Sequence, residues 1–349
     1  MFSDRSYPRL LLLTLFVTVV ATLLIAAGTS SASFGVYNSQ WDGTAEVRTA
    51  AEAAGAQTTV VQNTSRYDRA TPNETVAVAL SPTSTYDTRE TEAVRSFVRG
   101  GGTLLVAEDY GAGGNELLSA VGAEARIDGT PLRDERQIGP SPAFPRADVV
   151  TNHTYTTTAD ELMLNHGSTV DPGSATVLAT TSQYSYLDTN RNQELDNDEE
   201  LMSRPVVTVE SVGSGTVLVI SDPSLFLNSM LDRSDNAAFL RAIVSVHETV
   251  LLDVSHTTAL PPLVALRLLL QQSGLATFLG GCLSILALFA LAKSPGVVSR
   301  IRTWRGQSPT ATSPALSSED VSAAVQRRHP DWDEERVTRV TDRLMKHRE

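Results

Sequence analysis

The sequence predicts an α/β fold: a doubly wound, mostly parallel sheet held between two transmembrane helices. Three observations point to it. Strand-like and helix-like segments alternate through most of the chain. Residues 103–107 form an uninterrupted apolar run, as expected of a strand buried on both faces of a parallel sheet. Two eighteen-residue stretches, 10–27 and 275–292, carry no charge, and roughly 20 apolar residues cross about 30 Å of hydrocarbon.

The elements follow in order. Residues 33–37 read as a short strand, and an alanine-rich helix over 44–54 stops at Gly55. Residues 58–62 and 75–80 are β-branched strands. A helix over 88–99 places Val94, Phe97 and Val98 on one face and ends at three glycines, 100–102. After the strand 103–107 come a short helix over 116–121, strands at 206–209 and 216–220, and a last helix over 236–250. This alternation is what predicts the doubly wound sheet. Residues 129–174, rich in Pro, Thr, Asn and His, break the pattern and read as long surface loops or a small insertion.

Charge sets the expected topology. Arg5 and Arg9 precede the first apolar stretch, while Lys293, Arg300, Arg302 and Arg305 follow the second. Positive flanks stay inside, so the cytoplasmic membrane is the expected location. The N-terminus (1–9) and the tail (293–349) are then inside, with 30–262 outside, after a span over 10–28 and before an interfacial segment and span over 263–292. A cleaved leader ending near Ser30-Ser31-Ala32 is the alternative for the first stretch. Residues 30–262 carry 31 Asp/Glu against 14 Arg and no Lys, a net of −17. So acidic a surface excludes nucleic acid as its partner. Two lysines against 26 arginines, with abundant acidic residues, match the composition of a salt-loving microbe. The single cysteine, Cys282, lies in the second stretch, so the main domain has neither a disulfide nor a thiol nucleophile.

Polar residues just past a strand's carboxyl end occupy the crevice where open α/β sheets bind ligands. Asp222, Asn228, Asp235 and Asn236 follow the strand 216–220, and Asp235 also suits a helix N-cap that needs no ligand. Glu108 and Asp109 follow the strand 103–107, as a carboxylate pair for acid–base or cation chemistry or as a plain acidic turn.

Two segments carry a resemblance. Ser81-Pro82, Glu92 and the run from Phe97 through Gly100-Gly101-Gly102 to Val106 resemble class I glutamine-amidotransferase-like domains. Together with residues 215–223 and 235–240, they resemble the membrane-tethered domain of unknown function 4350 family. The resemblance implies an amidotransferase-like fold, and relatives that often stand beside MoxR-type AAA ATPases. Active amidotransferases carry a nucleophilic cysteine after the strand equivalent to 103–107. This chain has Ala107-Glu108-Asp109 there, and His153 and His166 lie in the insertion. Amidotransferase chemistry is therefore not expected.

A twelve-residue stretch places Asp188, Asn190, Asn192, Glu194, Asp196 and Glu199 at positions 1, 3, 5, 7, 9 and 12 of a calcium loop. Gln193 stands where such loops carry glycine, and strands rather than helices flank it; an acidic hairpin is the competing reading. Thr14, Thr18 and Thr22 in the first apolar stretch, and Ala276, Gly280 and Ser284 in the second, form small-residue stripes suited to close helix packing. The tail opens with a Ser/Thr/Pro stretch (307–318), followed by helices over 319–327 and 332–347, the second capped by Asp331 with Glu334.

These features lead to the expectation of a non-enzymatic, membrane-anchored binding or scaffolding protein. It would meet a protein partner through the outer domain or the tail 307–349, with a MoxR-type ATPase system implied by the resemblance. The alternative is an envelope hydrolase using Glu108, Asp109 and Asp222, with or without a metal.

Overall fold

The run 103–107 is a strand with every residue buried, and the sheet is built outward from it. In the computed structural model the described residues are 11, 14–22, 32–257, 262–266, 278–279, 281–282, 285 and 317–346. The chain divides into two units, Met1–Leu268 and Leu269–Glu349.

In the first unit, helix α1 (Ala45–Ala53) precedes strand β1 (Gln57–Val61), and β2 (Thr75–Leu80) leads through α2 (Thr88–Arg99) to β3 (Thr103–Ala107) and α3 (Gly113–Val121). Asp87 caps α2 in a capping box with Glu90. Short strands follow: β4 (Arg126–Ile127), β5 (Leu132–Asp134), β6 (Arg146–Val149), β7 (Glu161–Met163) and β8 (Val170–Asp171). Then come β9 (Thr176–Thr181), β10 (Ser185–Leu187), β11 (Pro205–Val212) and β12 (Gly215–Ile220). The unit closes with α4 (Asn228–Leu231), α5 (Asn236–Ser245) and β13 (Thr249–Asp253).

Nine strands form one sheet in the order β1-β13-β2-β3-β12-β11-β9-β6-β7. Alternate side chains of β3 enter opposite cores. Leu105 and Ala107 face α1 and α5, with Phe226, Phe239 and Ile243. Leu104 and Val106 face α2 and α3, with Phe97, Leu117 and Leu118.

Four expectations are corrected. The sheet is mixed, not mostly parallel: β1, β13, β2, β3 and β12 pair parallel, but β12–β11, β11–β9, β9–β6 and β6–β7 pair antiparallel. The cause is the tight turn Gly213-Ser214, which joins Val212 to its partner Gly215 and leaves no room for a crossover. Residues 129–174 also supply β6 and β7 to that antiparallel half. Residues 33–37 are turns, and the expected helix 236–250 ends at Ser245, because the run Thr249–Asp253 is a buried parallel strand between β1 and β2.

The fourth correction concerns topology. The two expected spans fall largely outside the described residues, although 14–22 are helical and Thr22 Oγ1 donates to the Thr18 carbonyl at 2.9 Å. Ala276, Gly280 and Ser284 lie outside the described residues. Among the described residues no helix is long and apolar enough to cross a membrane. That finding contradicts the two-span arrangement, with its membrane location and inside and outside segments.

In the second unit, α6 (Ser318–Arg328) begins with a Ser317–Asp320 capping box and packs against α7 (Glu334–Lys346). Asp333, not Asp331, accepts from the first turn of α7, at the Arg336 N–H (2.8 Å). Val337 and Thr341 are buried, and Arg336 lies 5.0 Å over the Trp332 ring.

The β11–β12 turn also meets the end of α2. A Cβ on Gly215 would stand 2.0 Å from the Val98 carbonyl oxygen and 2.4 Å from that of Gly102, both backbone atoms. Gly215→Ala is therefore expected to destabilise the fold by about 2–3 kcal/mol, read as a lower urea midpoint; an unchanged midpoint counts against this packing.

Candidate functional site

Strands β3 and β12 run side by side and end together, with Ala107 paired to Ile220. Their next residues, Glu108-Asp109 and Ser221-Asp222, stand at the mouth of the sheet, where an α/β crevice would open. Here the mouth is filled. Residues 165–168 of the insertion cross it: the Ser168 N–H donates to the Ser221 carbonyl, and the Gly167 carbonyl accepts from Leu132.

Asp222 is the main fastening. Its carboxylate is fully buried, one oxygen accepting from the Asn165 N–H and the other from Ser224 at 2.7 Å. Burial pushes its pKa up to about 7, with the Asp109 charge adding to the rise and the two N–H donors opposing it. Tyr110 is the second fastening: its hydroxyl donates to the His166 carbonyl and lies 3.3 Å from that of Gly167. Burial, then the Asp109 and Asp222 charges, hold that hydroxyl protonated. The plug approaches closely because residue 167 is glycine: a Cβ there would sit 2.8 Å from Asp222 Cβ.

Glu108 serves the fold. Its buried carboxylate accepts from the Gly114 N–H at 2.6 Å, in the first turn of α3, and burial raises its pKa. Asp109 accepts from the Tyr110 N–H at 2.7 Å and is likewise raised, by burial first. Around the plug, burial and Arg133 depress the His166 pKa, while Asp109 opposes them. His166 adopts φ of 59° and packs edge-on to Phe144, with ring centroids 5.3 Å apart. Arg133 also makes a buried ion pair with Asp188, 2.8 Å between Nε and Oδ2.

The remaining candidates lie elsewhere. Asn228 binds the first turn of α1 and the segment before it, accepting from the Glu46 N–H (3.0 Å) and donating to the carbonyls of Asn38 (3.0 Å) and Gln40 (2.6 Å). Asp235 makes no side-chain cap on its own helix; it accepts from Asp160 and Glu161 N–H groups at 2.9 and 3.2 Å. Asn236 exchanges hydrogen bonds with both backbone groups of Met163, each at 3.0 Å. Asp235 and Asn236 therefore tie β7 onto α5.

A second polar cluster escaped sequence reasoning. Past the ends of β2 and β13, Ser84 Oγ lies 3.0 Å from His256 Nδ1, and Glu90 Oε2 lies 3.1 Å from Nε2. The ring N–H does not align with that carboxylate, and the same Oε2 accepts from the Asp87 N–H at 2.8 Å. The Tyr86 ring packs against that of His256 at a 35° tilt, centroids 3.8 Å apart, and Tyr67 and Tyr86 both donate to Asp253, at 2.7 and 3.3 Å. No local sequence signal marks this cluster: Ser84 and His256 are 172 residues apart and meet only because β13 lies beside β2. A groove of about 760 Å³ between α1 and α5 is lined by no residue of either cluster.

Asp222 carries a pH signature. Its folded pKa, about 7, exceeds the roughly 3.9 of an unfolded aspartate. The stability it contributes is thus full below about pH 4 and is lost as pH rises through 7, a change on the order of a few kcal/mol. Urea unfolding at stepped pH is expected to show that decline, and Asp222→Asn is expected to flatten it; a slope unchanged in the variant contradicts the assignment.

Solved structures align at low similarity. The mmIFT52 N-terminal domain is 16% identical, with 52% of this chain and 78% of that one covered and a TM-score of 0.39. A cytoplasmic protein from Salmonella typhimurium LT2 is 15% identical over 58% of this chain and 86% of that one, with a TM-score of 0.36. A beta-galactosidase from Bacillus circulans sp. alkalophilus is 14% identical over 50% of this chain but only 23% of its own length, with a TM-score of 0.29. None of the three bears on function at these scores. No curated protein matches the chain. Residues 36–244, more than half of the sequence, match the domain of unknown function DUF4350, and the chain belongs to that family.

Proposed function

We propose that this protein is a non-catalytic binding or scaffolding module whose ancestral ligand crevice is closed by its own insertion. One observation carries the proposal: segment 165–168 lies across the strand ends, and the polar residues there fasten it rather than face an open cleft. The missing thiol after β3 supports the same reading, because Glu108 at that place caps α3. The degenerate amidotransferase-like ancestry and a MoxR-type ATPase partner remain what the resemblance implies, and that ATPase class is the first partner to try. The helical pair α6–α7 in the 307–349 tail is one contact point, the DUF4350 domain the other.

The hydrolase reading draws on the carboxylates Glu108, Asp109 and Asp222 and on the Ser84–His256 contact. One experiment separates the two. The full chain, an Asp109→Asn variant and a Ser84→Ala variant are assayed on ester, amide and glycoside substrates and for binding to a MoxR-type ATPase. Hydrolysis at the buffer rate, with ATPase binding retained in both variants, is expected. Turnover abolished by either substitution overturns the non-catalytic reading.

A further inference from the structure

The loop between β10 and β11 carries the oxygen spacing of a calcium loop, and the fold disposes those oxygens as follows. Asp188, at position 1, is buried, its side chain 1% exposed. Its Oδ2 is taken by Arg133 and by the Gln193 N–H at 3.0 Å, whereas its Oδ1 is buried with no hydrogen-bond partner. A buried carboxylate oxygen left unpaired costs about 1–3 kcal/mol unless something meets it. Gln193, at position 6, adopts φ of 72°, the left-handed conformation a glycine there would supply, so the substitution noted in the sequence does not prevent the turn.

Positions 3 and 5 are set in the same sense. Asn190 Oδ1 accepts from the Asn192 N–H (3.0 Å) and Asn192 Oδ1 from the Glu194 N–H (2.8 Å), each leaving a second lone pair. Both amide groups also donate to one oxygen of Asp196 at 2.7 Å, which holds positions 3, 5 and 9 together. Glu199, at position 12, is buried over the start of the loop, accepting from Thr189 (2.8 Å) and Asp196 (3.1 Å) N–H groups. Among the described residues no three acidic, histidine or cysteine side chains already form a metal cluster. An ion would have to draw Asp196 and Glu199 inward.

We propose that residues 188–199 bind one calcium ion through Asp188 Oδ1, the side-chain oxygens of Asn190 and Asn192, the Glu194 carbonyl, Asp196 and Glu199. Oxygen ligands of mixed charge and carbonyl type suit calcium over transition metals. Arg133 keeps its hold on Asp188 Oδ2, and its neighbour in β5, Leu132, donates its N–H to the Gly167 carbonyl at 2.9 Å, so the strand links the loop to the plug. The ion would thereby stiffen the insertion that closes the strand ends, whether or not the module is catalytic.

The test is calorimetry and thermal melting of the full-length protein in molar potassium chloride, which screens the acidic surface. Calcium chloride is expected to give saturable heat at about one ion per chain and, at ten times the dissociation constant, a melting rise of a few degrees. Glu199→Gln and Asp196→Asn are expected to weaken binding about tenfold or more, and magnesium to bind less well. No saturable heat overturns the proposal, as does an equal response to calcium and magnesium in the wild type and both variants. Should the variants fail to fold, terbium luminescence on the wild type decides. Tyrosine-sensitised emission displaced by millimolar calcium supports the site, and emission that calcium does not displace overturns it.

Discussion

A carboxylate buried at the end of β12 makes closure of the crevice self-consistent. Asp222 has no solvent to satisfy it, so its oxygens depend on two backbone N–H groups, one from the next turn and one from Asn165 of the insertion. Lifting the insertion would take the Asn165 donor from that carboxylate and release the Tyr110 contacts to His166 and Gly167. The raised pKa of Asp222 records the opposition between burial and hydrogen bonding. The antiparallel half of the sheet depends on the same anchoring, because β6 and β7 are carried by the segment that Asp222, Asp235 and Asn236 hold.

Residues that look catalytic in sequence and structural in space share one physical feature. Glu108, Asp222, Asp235, Asn228 and Asn236 all accept backbone N–H groups at places where secondary structure leaves donors unpaired. Such donors abound at strand ends and helix starts, so polar residues there can serve the fold without any ligand. The cost is modest, because each bond satisfies a group that would otherwise need water.

Much of the core was legible in the residues. The bounds 75–80, 88–99 and 103–107 agree with β2, α2 and β3, since continuous apolar runs and a 3.6-residue stripe are local signals. The 249–253 strand was hidden because it follows α5 after three residues, and its apolar run extends the helical pattern. The parallel bias of the expected sheet came from reading alternation as crossovers, whereas the two-residue turn before Gly215 dictates a hairpin. The Ser84–His256–Glu90 cluster had no local signature, because 172 residues separate its first two members.

Composition and pattern alone established an acidic α/β chain without a thiol in its main domain, a strand buried on both faces at 103–107, and an oxygen-rich loop at 188–199. They did so because burial periodicity, charge and ligand spacing are written residue by residue. The mixed pairing of the sheet, the plug over its mouth and the sharing of Asp188 between Arg133 and the loop emerged in three dimensions only. Each of these joins segments tens of residues apart, and a carboxylate's role is settled by which N–H groups the rest of the chain brings within reach.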